Sequence, residues 1–276
     1  MFAGSLLACD MGGGALARQL TDDPQAAALG GVITGSMLGA TVVFTIPVAM
    51  GILREEDRPV MAKGILCGIV TIPLGVLAGG LTAGFPLPMV LRNLVPIVLI
   101  ALLIALGLWR AENAMVRGFE VFGKLVVAVA TVGLAAAIGE ALTGYPIIRG
   151  MEPISEGFET VGVIAIVLAG AFPLVFVLTK LLRKPLLAAN DAAAAGLLAS
   201  LANSIAAFGM VKDMNERGKV VNIAFAVSGA FVFGDHLGFT AGFAPEMMGA
   251  MIVGKLVGGL TAIAAAWILT RKSEKA

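Results

Sequence analysis

Long runs of apolar residues, separated by short polar segments, dominate the chain. A helix needs about 20 mainly apolar residues to cross the hydrocarbon region of a bilayer. The runs of this length predict about seven helical spans, and they lack the alternating pattern of membrane β-barrel strands. The predicted spans are 26–53, 60–82, 93–109, 121–140, 158–182, 219–241 and 247–270.

Two further apolar segments, 2–20 and 187–211, are interrupted by polar residues or glycines. The first contains Asp10, which is closely followed by three consecutive glycines, and the second contains Asn203 and Ser204. Neither segment has the pattern of a continuous span. Non-helical backbone at membrane depth is tolerated only where it is buried in protein or lines a cavity. Both segments are therefore predicted to be broken or re-entrant.

Basic residues between the segments predict the orientation, because Lys and Arg concentrate in cytoplasmic loops. Basic loops alternate with weakly charged ones as far as residue 186, and basic loops then flank 187–211 on both sides. This segment is therefore predicted to enter and leave from the cytoplasm; a slipped assignment of the spans is the alternative. The same rule places the basic C-terminal tail in the cytoplasm.

Short sequence similarities suggest an internal duplication. "AGSLLA" (3–8) is similar to "AAGLLAS" (194–200), "LGATVVF" (38–44) to "SGAFVF" (228–233), and "GGLTA" occurs at 79–83 and 258–262. The charge rule makes spans 26–53 and 219–241 run in opposite directions. An inverted repeat with interrupted helices that meet near the midplane is typical of secondary transporters.

The predicted fold class is thus an all-α polytopic integral membrane protein with an incomplete inverted-topology repeat. Residues 1–92 form a partial first repeat, residues 93–120 a linking span with a basic loop, and residues 121–276 the second repeat. Glycines at G-x-x-x-G spacing, such as Gly64 with Gly68 and Gly254 with Gly258, predict close packing of helices.

Composition supports the same class. Hydrophobic residues make up 59% of the 276 residues and charged residues 13%, about half the usual charged share of a soluble protein. The net charge of +1 implies no bulk attraction to nucleic acid. Cys9 and Cys67 both lie in apolar runs, so neither a disulfide framework nor a metal site is predicted. No cofactor is indicated.

Several longer motifs resemble one known family. "MFAGSLLACDMGGGALA", "TVVFTIPVAMGI", "GIVTIPLG", "MIVGKLVGGLTAI" and above all "LASLANSIAAFGMVKDMNERGKVVNIAFAVSGAFVFGDHLGF" are similar to the bacterial ethanolamine utilisation permeases, the EutH-type ethanolamine transporters. The resemblance runs nearly end to end. It implies a multi-pass protein of the bacterial inner membrane that takes up ethanolamine for breakdown in the cytoplasm.

The chain departs from the family pattern in two places. Family members carry additional apolar spans before the position that matches Met1, and residues 143–160 look like a shortened loop. We therefore expect the first repeat to lack the counterparts of spans 121–140 and 158–182. A chain shortened in this way raises a second reading, a non-transporting scaffold or fragment.

The candidate binding site is centred on Asp235 and His236, which lie together in an apolar run. Ethanolamine is an amine that is largely protonated at neutral pH. Its ammonium needs a carboxylate, and an ionised side chain inside a membrane helix marks a functional pathway by default. Asp235 fits this need, and the alternative is a charge paired within the protein, with His236 or Lys255 as its partner.

Other residues complete the predicted site. Asp10 is a second candidate carboxylate, unless the segment around it is a solvated chain end. Asn203 and Ser204 are candidates for binding the substrate hydroxyl. The alternative, with equal weight, is that they form hydrogen bonds between helices. Phe231, Phe233 and Phe239 surround the Asp–His pair, and this cluster offers aromatic faces for a cation–π contact, although phenylalanines in membrane helices more often face lipid or the core.

His236 and Lys255 are candidates for gating or coupling. His236 has the side chain that titrates nearest to neutral pH, and its alternative role is a neutral anchor for its neighbours. The sequence leaves open whether protons or sodium ions drive transport, whether the protein is a carrier or a channel, and whether it forms homo-oligomers.

An intramembrane serine hydrolase is the alternative from a different class, with Ser228 and His236 as a dyad. On one continuous helix eight residues separate the two side chains by ~12 Å, which is beyond hydrogen-bonding reach. The dyad therefore requires a break near Gly234. No enzyme activity is predicted.

Overall fold

The structure, a computed structural model, describes residue 5 and residues 13–151, 153–186 and 191–271. Every regular element within them is a helix, and the chain is an all-α polytopic membrane protein. The helices are α1 Gly13–Gln19, α2 Pro24–Ile52, α3 Arg58–Thr82, α4 Leu87–Ala111, α5 Asn113–Thr143, α6 Ile154–Leu186, α7 Asp191–Ala202, α8 Ser204–Met210, α9 Glu216–Ser228, α10 Asp235–Phe243 and α11 Met248–Thr270.

Local sequence sets several helix boundaries. The Asp23 carboxylate caps the start of α2 by accepting hydrogen bonds from the amides of Gln25 and Ala26, at 3.0 and 3.2 Å. Gly144 ends α5 in the left-handed region, with φ of 70°. Between α4 and α5 the backbone kinks at Ala111, whose φ of −146° is not helical.

Helix α2 is wider than an α-helix over much of its length. Residues Leu29–Gly39 and Thr41–Thr45 have π-helical hydrogen bonding, a rare geometry that is frequent at functional sites. Every residue of Leu29–Gly39 is buried. In the most apolar 18-residue stretch of α2, 83% of the residues are buried. A helix that is hydrophobic on all sides belongs in the interior of a bundle.

Helix α3 packs against α9 and α11 through its glycines, as the G-x-x-x-G spacing predicts. A Cβ at Gly64 would lie 2.7 Å from Ile223 of α9, and one at Gly75 would lie 2.6 Å from the Gly254 carbonyl oxygen of α11. These distances are too short for any side chain, so the helix backbones approach each other closely. We call α2, α3, α9 and α11 the central group.

Helices α5 and α6 form an outer pair with little protein around them. In the most apolar 18-residue stretch of each helix, only 11% of the residues of α5 and 6% of those of α6 are buried. One close contact of α6 lies at Gly238 of α10, where a Cβ would be 2.9 Å from Ile164. Large apolar side chains such as Val129 and Ile166 are 65% and 75% exposed, as expected of residues that face lipid.

Six helical stretches in the described part of the chain are long and apolar enough to cross a membrane. They coincide with the predicted spans except at 219–241. That segment is two helices, α9 and α10, separated by the turn at residues 229–234. The break requires glycine at position 234, because a Cβ there would overlap the carbonyl oxygen of Ala202. The division into repeats and the re-entrant nature of 187–211 remain predictions.

Candidate functional site

Two interrupted helices meet at their breaks, and we call this meeting point the crossing. One interruption separates α7 from α8 at Asn203, and the other separates α9 from α10 at residues 229–234. The Phe231 amide donates to the Ser200 carbonyl oxygen at 2.9 Å, and the Phe233 amide donates to the Leu201 carbonyl oxygen, also at 2.9 Å. Carbonyls at the end of α7 and amides of the turn thus satisfy one another, as backbone inside a membrane requires.

Asn203 has a structural role at this crossing. Its backbone is extended, with φ of −157°, and its side-chain oxygen accepts a hydrogen bond from the Ile205 amide at 2.8 Å. It therefore caps the start of α8, a position where asparagine is strongly preferred. The interruption falls at Asn203 and Ser204, the polar pair that interrupts the apolar run in the sequence.

Asp235 and His236 occupy the first turn of α10, directly after the turn that contacts α7. Asp235 is half-buried, and a carboxylate at a helix N-terminus is favoured by the helix dipole. His236 is only 1% exposed. The crossing therefore brings the residues directly before Asp235 and His236 into contact with those directly before Asn203 and Ser204, although about 30 residues separate the two segments along the chain.

The aromatic ring at His236 is that of Phe231. The two ring centroids are 5.1 Å apart, and Phe231 also makes an edge-on contact with Phe44 of α2, at 5.6 Å. Phe231 is a non-glycine residue with a positive φ, 62°. This conformation is rare for a bulky residue and costs of order 1–3 kcal/mol, which the surrounding packing must offset.

Phe239 lies in a second aromatic contact. It stacks on Phe243 with ring centroids 5.2 Å apart. The guanidinium of Arg18 lies 3.9 Å from the centroid of the Phe243 ring and donates to the Phe243 carbonyl oxygen at 3.2 Å. A cation of the protein itself thus occupies this aromatic pair. Phe233 is half-buried and contributes the backbone hydrogen bond to Leu201.

Several buried polar side-chain atoms make no hydrogen bond within the described part of the chain. They are the hydroxyl oxygens of Ser200, Ser204 and Ser228 and the side-chain oxygen of Asn222. A buried hydroxyl without a partner costs about 1–3 kcal/mol. Ser200 and Ser204 flank the interruption after α7. Ser200 was not predicted from the sequence, because it lies within a helical apolar run.

Lys255 is buried in α11, with 1% of its surface exposed. Its ammonium donates to the Ser36 carbonyl oxygen of α2 at 2.7 Å. Ser36 lies inside the π-helical stretch Leu29–Gly39, so this cation contacts the widened part of α2. The sequence offered no signal for this contact, because π-helical geometry has no established residue pattern.

Ser228 does not form the dyad considered for a hydrolase. The break near Gly234 that the dyad needs is present, but Ser228 faces α11: a Cβ at Gly258 would lie 2.9 Å from the Ser228 Cβ. Its hydroxyl makes no hydrogen bond to any described residue. Asp10, the other predicted carboxylate, lies outside the described residues.

The fold and the site define a multi-pass membrane protein with two interrupted helices that cross at a buried, partly polar point. Over residues 1–269 the chain matches the family model described as "Ethanolamine utilisation protein, EutH". The chain belongs to the EutH family.

Three relatives illustrate the similarity. The chain is 58% identical to the "Probable ethanolamine permease EutH" of Listeria monocytogenes over 281 residues, which cover 100% of this chain and 75% of the relative. It is 47% identical to the protein of the same name from Escherichia coli K12, with 99% and 74% covered, and 51% identical to the uncharacterized protein YxeR of Bacillus subtilis, with 99% and 76% covered. No solved structure matches the chain.

Proposed function

We propose that the chain carries ethanolamine across the bacterial inner membrane, as the names of its relatives suggest. The observation that supports this most directly is the crossing of the two interrupted helices. Asp235 and His236 follow one interruption, and the buried hydroxyls of Ser200 and Ser204 flank the other, within an otherwise apolar bundle. Such a set suits a small ligand with one cationic and one hydroxyl end.

In this proposal Asp235 binds the ammonium. Ethanolamine is largely protonated at neutral pH, and a charge-assisted hydrogen bond to a carboxylate is about twice as strong as one between neutral groups. Asp235 begins α10, so its carboxylate also benefits from the helix dipole while the site is empty. Asp10 is a second carboxylate that the proposal retains for the first repeat.

The hydroxyl end of ethanolamine would meet Ser204, with Asn203 and Ser200 at the same interruption. The Ser204 hydroxyl is buried and makes no hydrogen bond within the described residues, so a ligand hydroxyl there satisfies a polar group that the protein leaves unsatisfied. The aromatic faces nearby are those of Phe231, which packs on His236, and of Phe233 and Phe239.

His236 and Lys255 are the proposed gating and coupling groups. Both are buried and ionisable, and Lys255 joins α11 to the π-helical part of α2. A carrier must rearrange around its site, and interactions that differ between its two states control that step. We expect Lys255→Met to slow uptake at saturating ethanolamine far more than it weakens binding.

The direct test is uptake of labelled ethanolamine by cells that lack their own permease, at mildly acidic pH, where passive entry of neutral amine is least. The wild-type chain is compared with Asp235→Asn and with the control Asp213→Asn, an exposed carboxylate on a short 3₁₀ turn. We expect uptake to be lost in Asp235→Asn and retained in Asp213→Asn. Equal uptake by both variants, at equal amounts of protein in the membrane, would exclude Asp235 as the ammonium site.

A further inference from the structure

An apolar crevice lies between the second half of α2 and helix α5. It has a volume of about 770 Å³, within the ~300–1,000 Å³ range of ligand pockets. Its walls are mainly apolar, and two cationic side chains complete its lining. The lining residues include Phe44, Pro47, Val127 and Ala128, with Arg58 and Lys124.

A glycine keeps this crevice open. A Cβ at Gly123 of α5 would lie 2.9 Å from Pro47 Cγ and 3.4 Å from the Val43 carbonyl oxygen of α2. Any larger residue would therefore narrow the space between the two helices. Val127 forms part of the wall one helical turn further on, and 54% of its surface is exposed.

The two cations lie where phosphate groups of a bilayer are expected. Residues 24–53 contain no charged side chain, and Arg58 follows shortly after this stretch. Lys124 directly precedes residues 125–139, which are also uncharged. Charged residues at the ends of apolar stretches mark the level of the lipid headgroups. Both cations lie on the predicted cytoplasmic side, and both line one crevice.

Arg58 already has one partner that does not exclude a second. Its guanidinium contacts the Glu55 carboxylate at 3.2 Å, and the two side chains are 44% and 86% exposed. An exposed ion pair of this kind is weak, and a guanidinium has five N–H donors. A phosphate can therefore bind to the same side chain.

We propose that this crevice binds an anionic phospholipid. Arg58 and Lys124 contact its phosphate, and an acyl chain lies along Phe44, Pro47 and Val127. Basic pockets between membrane helices on the cytoplasmic side suit anionic headgroups, while the apolar walls suit a chain rather than a free phosphate. The site adjoins the crossing through Phe44, whose ring contacts that of Phe231 at 5.6 Å, but Arg58, Lys124 and the apolar wall belong to neither the proposed ammonium site nor the proposed hydroxyl site.

The test is native mass spectrometry of the purified full chain in detergent, titrated with dioleoylphosphatidylglycerol or dioleoylphosphatidylcholine. Each cation near an anionic lipid contributes roughly a fivefold preference, so two cations predict a preference of roughly 25-fold for phosphatidylglycerol. We expect the double variant Arg58→Gln/Lys124→Gln to reduce this preference to about twofold. The control Arg54→Gln/Arg110→Gln makes the same change in charge outside the crevice, and we expect it to retain the preference.

A second variant tests the crevice without changing charge. We expect Val127→Trp to fill the apolar part and to lower the retention of phosphatidylglycerol at least tenfold while thermal unfolding of the protein in detergent is unchanged. Equal loss of the preference in the control double variant would overturn the proposal in favour of general surface charge. Unchanged retention by Val127→Trp, or a dimer of the chain that excludes lipid from the crevice, would also overturn it.

Discussion

The central group and the outer pair use apolar residues in opposite ways. In the central group, backbones approach so closely that several positions accept only glycine, as at Gly75 against Gly254. In the outer pair, a Cβ at Gly133 of α5 would have no neighbouring helix within 4 Å among the described residues. Since lipid tails are as apolar as leucine, burial alone cannot drive helices together in a membrane. Shape therefore specifies the central group, whereas α5 and α6 need only be apolar at most positions, with close contacts at Gly123 and Ile164.

The largest expected effect on the free energy of unfolding comes from breaking the buried ion pair between Asp57, just before α3, and Lys219 of α9. Their side chains are 4% and 18% exposed. Asp57→Asn leaves Lys219 without its counter-charge, and we expect the free energy of unfolding to fall by about 3 kcal/mol. The neighbouring substitution Glu56→Gln removes an exposed pair with Arg54 and should cost less than about 0.5 kcal/mol.

Denaturant unfolding in detergent micelles measures both variants. A loss of the same size in Asp57→Asn and Glu56→Gln would show that burial does not distinguish the two ion pairs, contrary to the contrast between the tightly packed interior and the periphery.

The next effect in size compares one substitution in the two regions. Gly75→Ala places a methyl group against the Gly254 carbonyl oxygen, and overpacking of this kind costs typically 1–3 kcal/mol. Gly133→Ala meets open space and replaces a helix-interior glycine, so we expect it to stabilise the protein by about 0.5–1 kcal/mol. The measured quantity is again the free energy of unfolding. Effects of the same sign would contradict the contrast in packing between Gly75 and Gly133.

The smallest effect concerns binding rather than stability. Ser204→Ala removes the buried hydroxyl proposed to meet the substrate hydroxyl, and a lost hydrogen bond of about 1 kcal/mol raises KM for ethanolamine about fivefold. The matched control is Ser228→Ala, which removes another buried hydroxyl that faces Gly258 instead. Uptake kinetics in the same cells measure both. A KM that rises in Ser228→Ala and not in Ser204→Ala would show that the substrate hydroxyl binds at α9 instead.

The fold class and most spans could be predicted from the sequence, because length and apolarity alone decide what can cross a membrane. The interruption at Asn203 was also predictable, since polar residues stand within an apolar run. The sequence predicts a continuous span through 229–234, because glycines within membrane helices usually serve packing, and there the prediction is wrong. In the structure the amides of Phe231 and Phe233 donate to the Ser200 and Leu201 carbonyl oxygens, which are distant in sequence, so no local pattern indicates this break.

The candidate site could be predicted only in part from the sequence, again because it depends on contacts between distant segments. Asp235 and His236 stand out as ionisable residues in apolar surroundings, but whether they bind substrate is still a prediction. The sequence offers Phe231, Phe233 and Phe239 as a cluster of aromatic neighbours, and the ring that packs on His236 is that of Phe231. Which of three neighbouring phenylalanines faces the imidazole depends on the left-handed conformation of Phe231, and no local pattern indicates this conformation for phenylalanine.

The hydrogen bonds between the two breaks also constrain how this protein can evolve. The Ser200 and Leu201 carbonyls at the end of α7 are satisfied by amides of the turn at 229–234. A mutation that restored a continuous helix through Gly234 would leave those carbonyls without hydrogen-bond partners in a nonpolar interior, at a cost of several kcal/mol each. Neither interruption can therefore be lost singly, and we expect descendants of this chain to inherit both or neither.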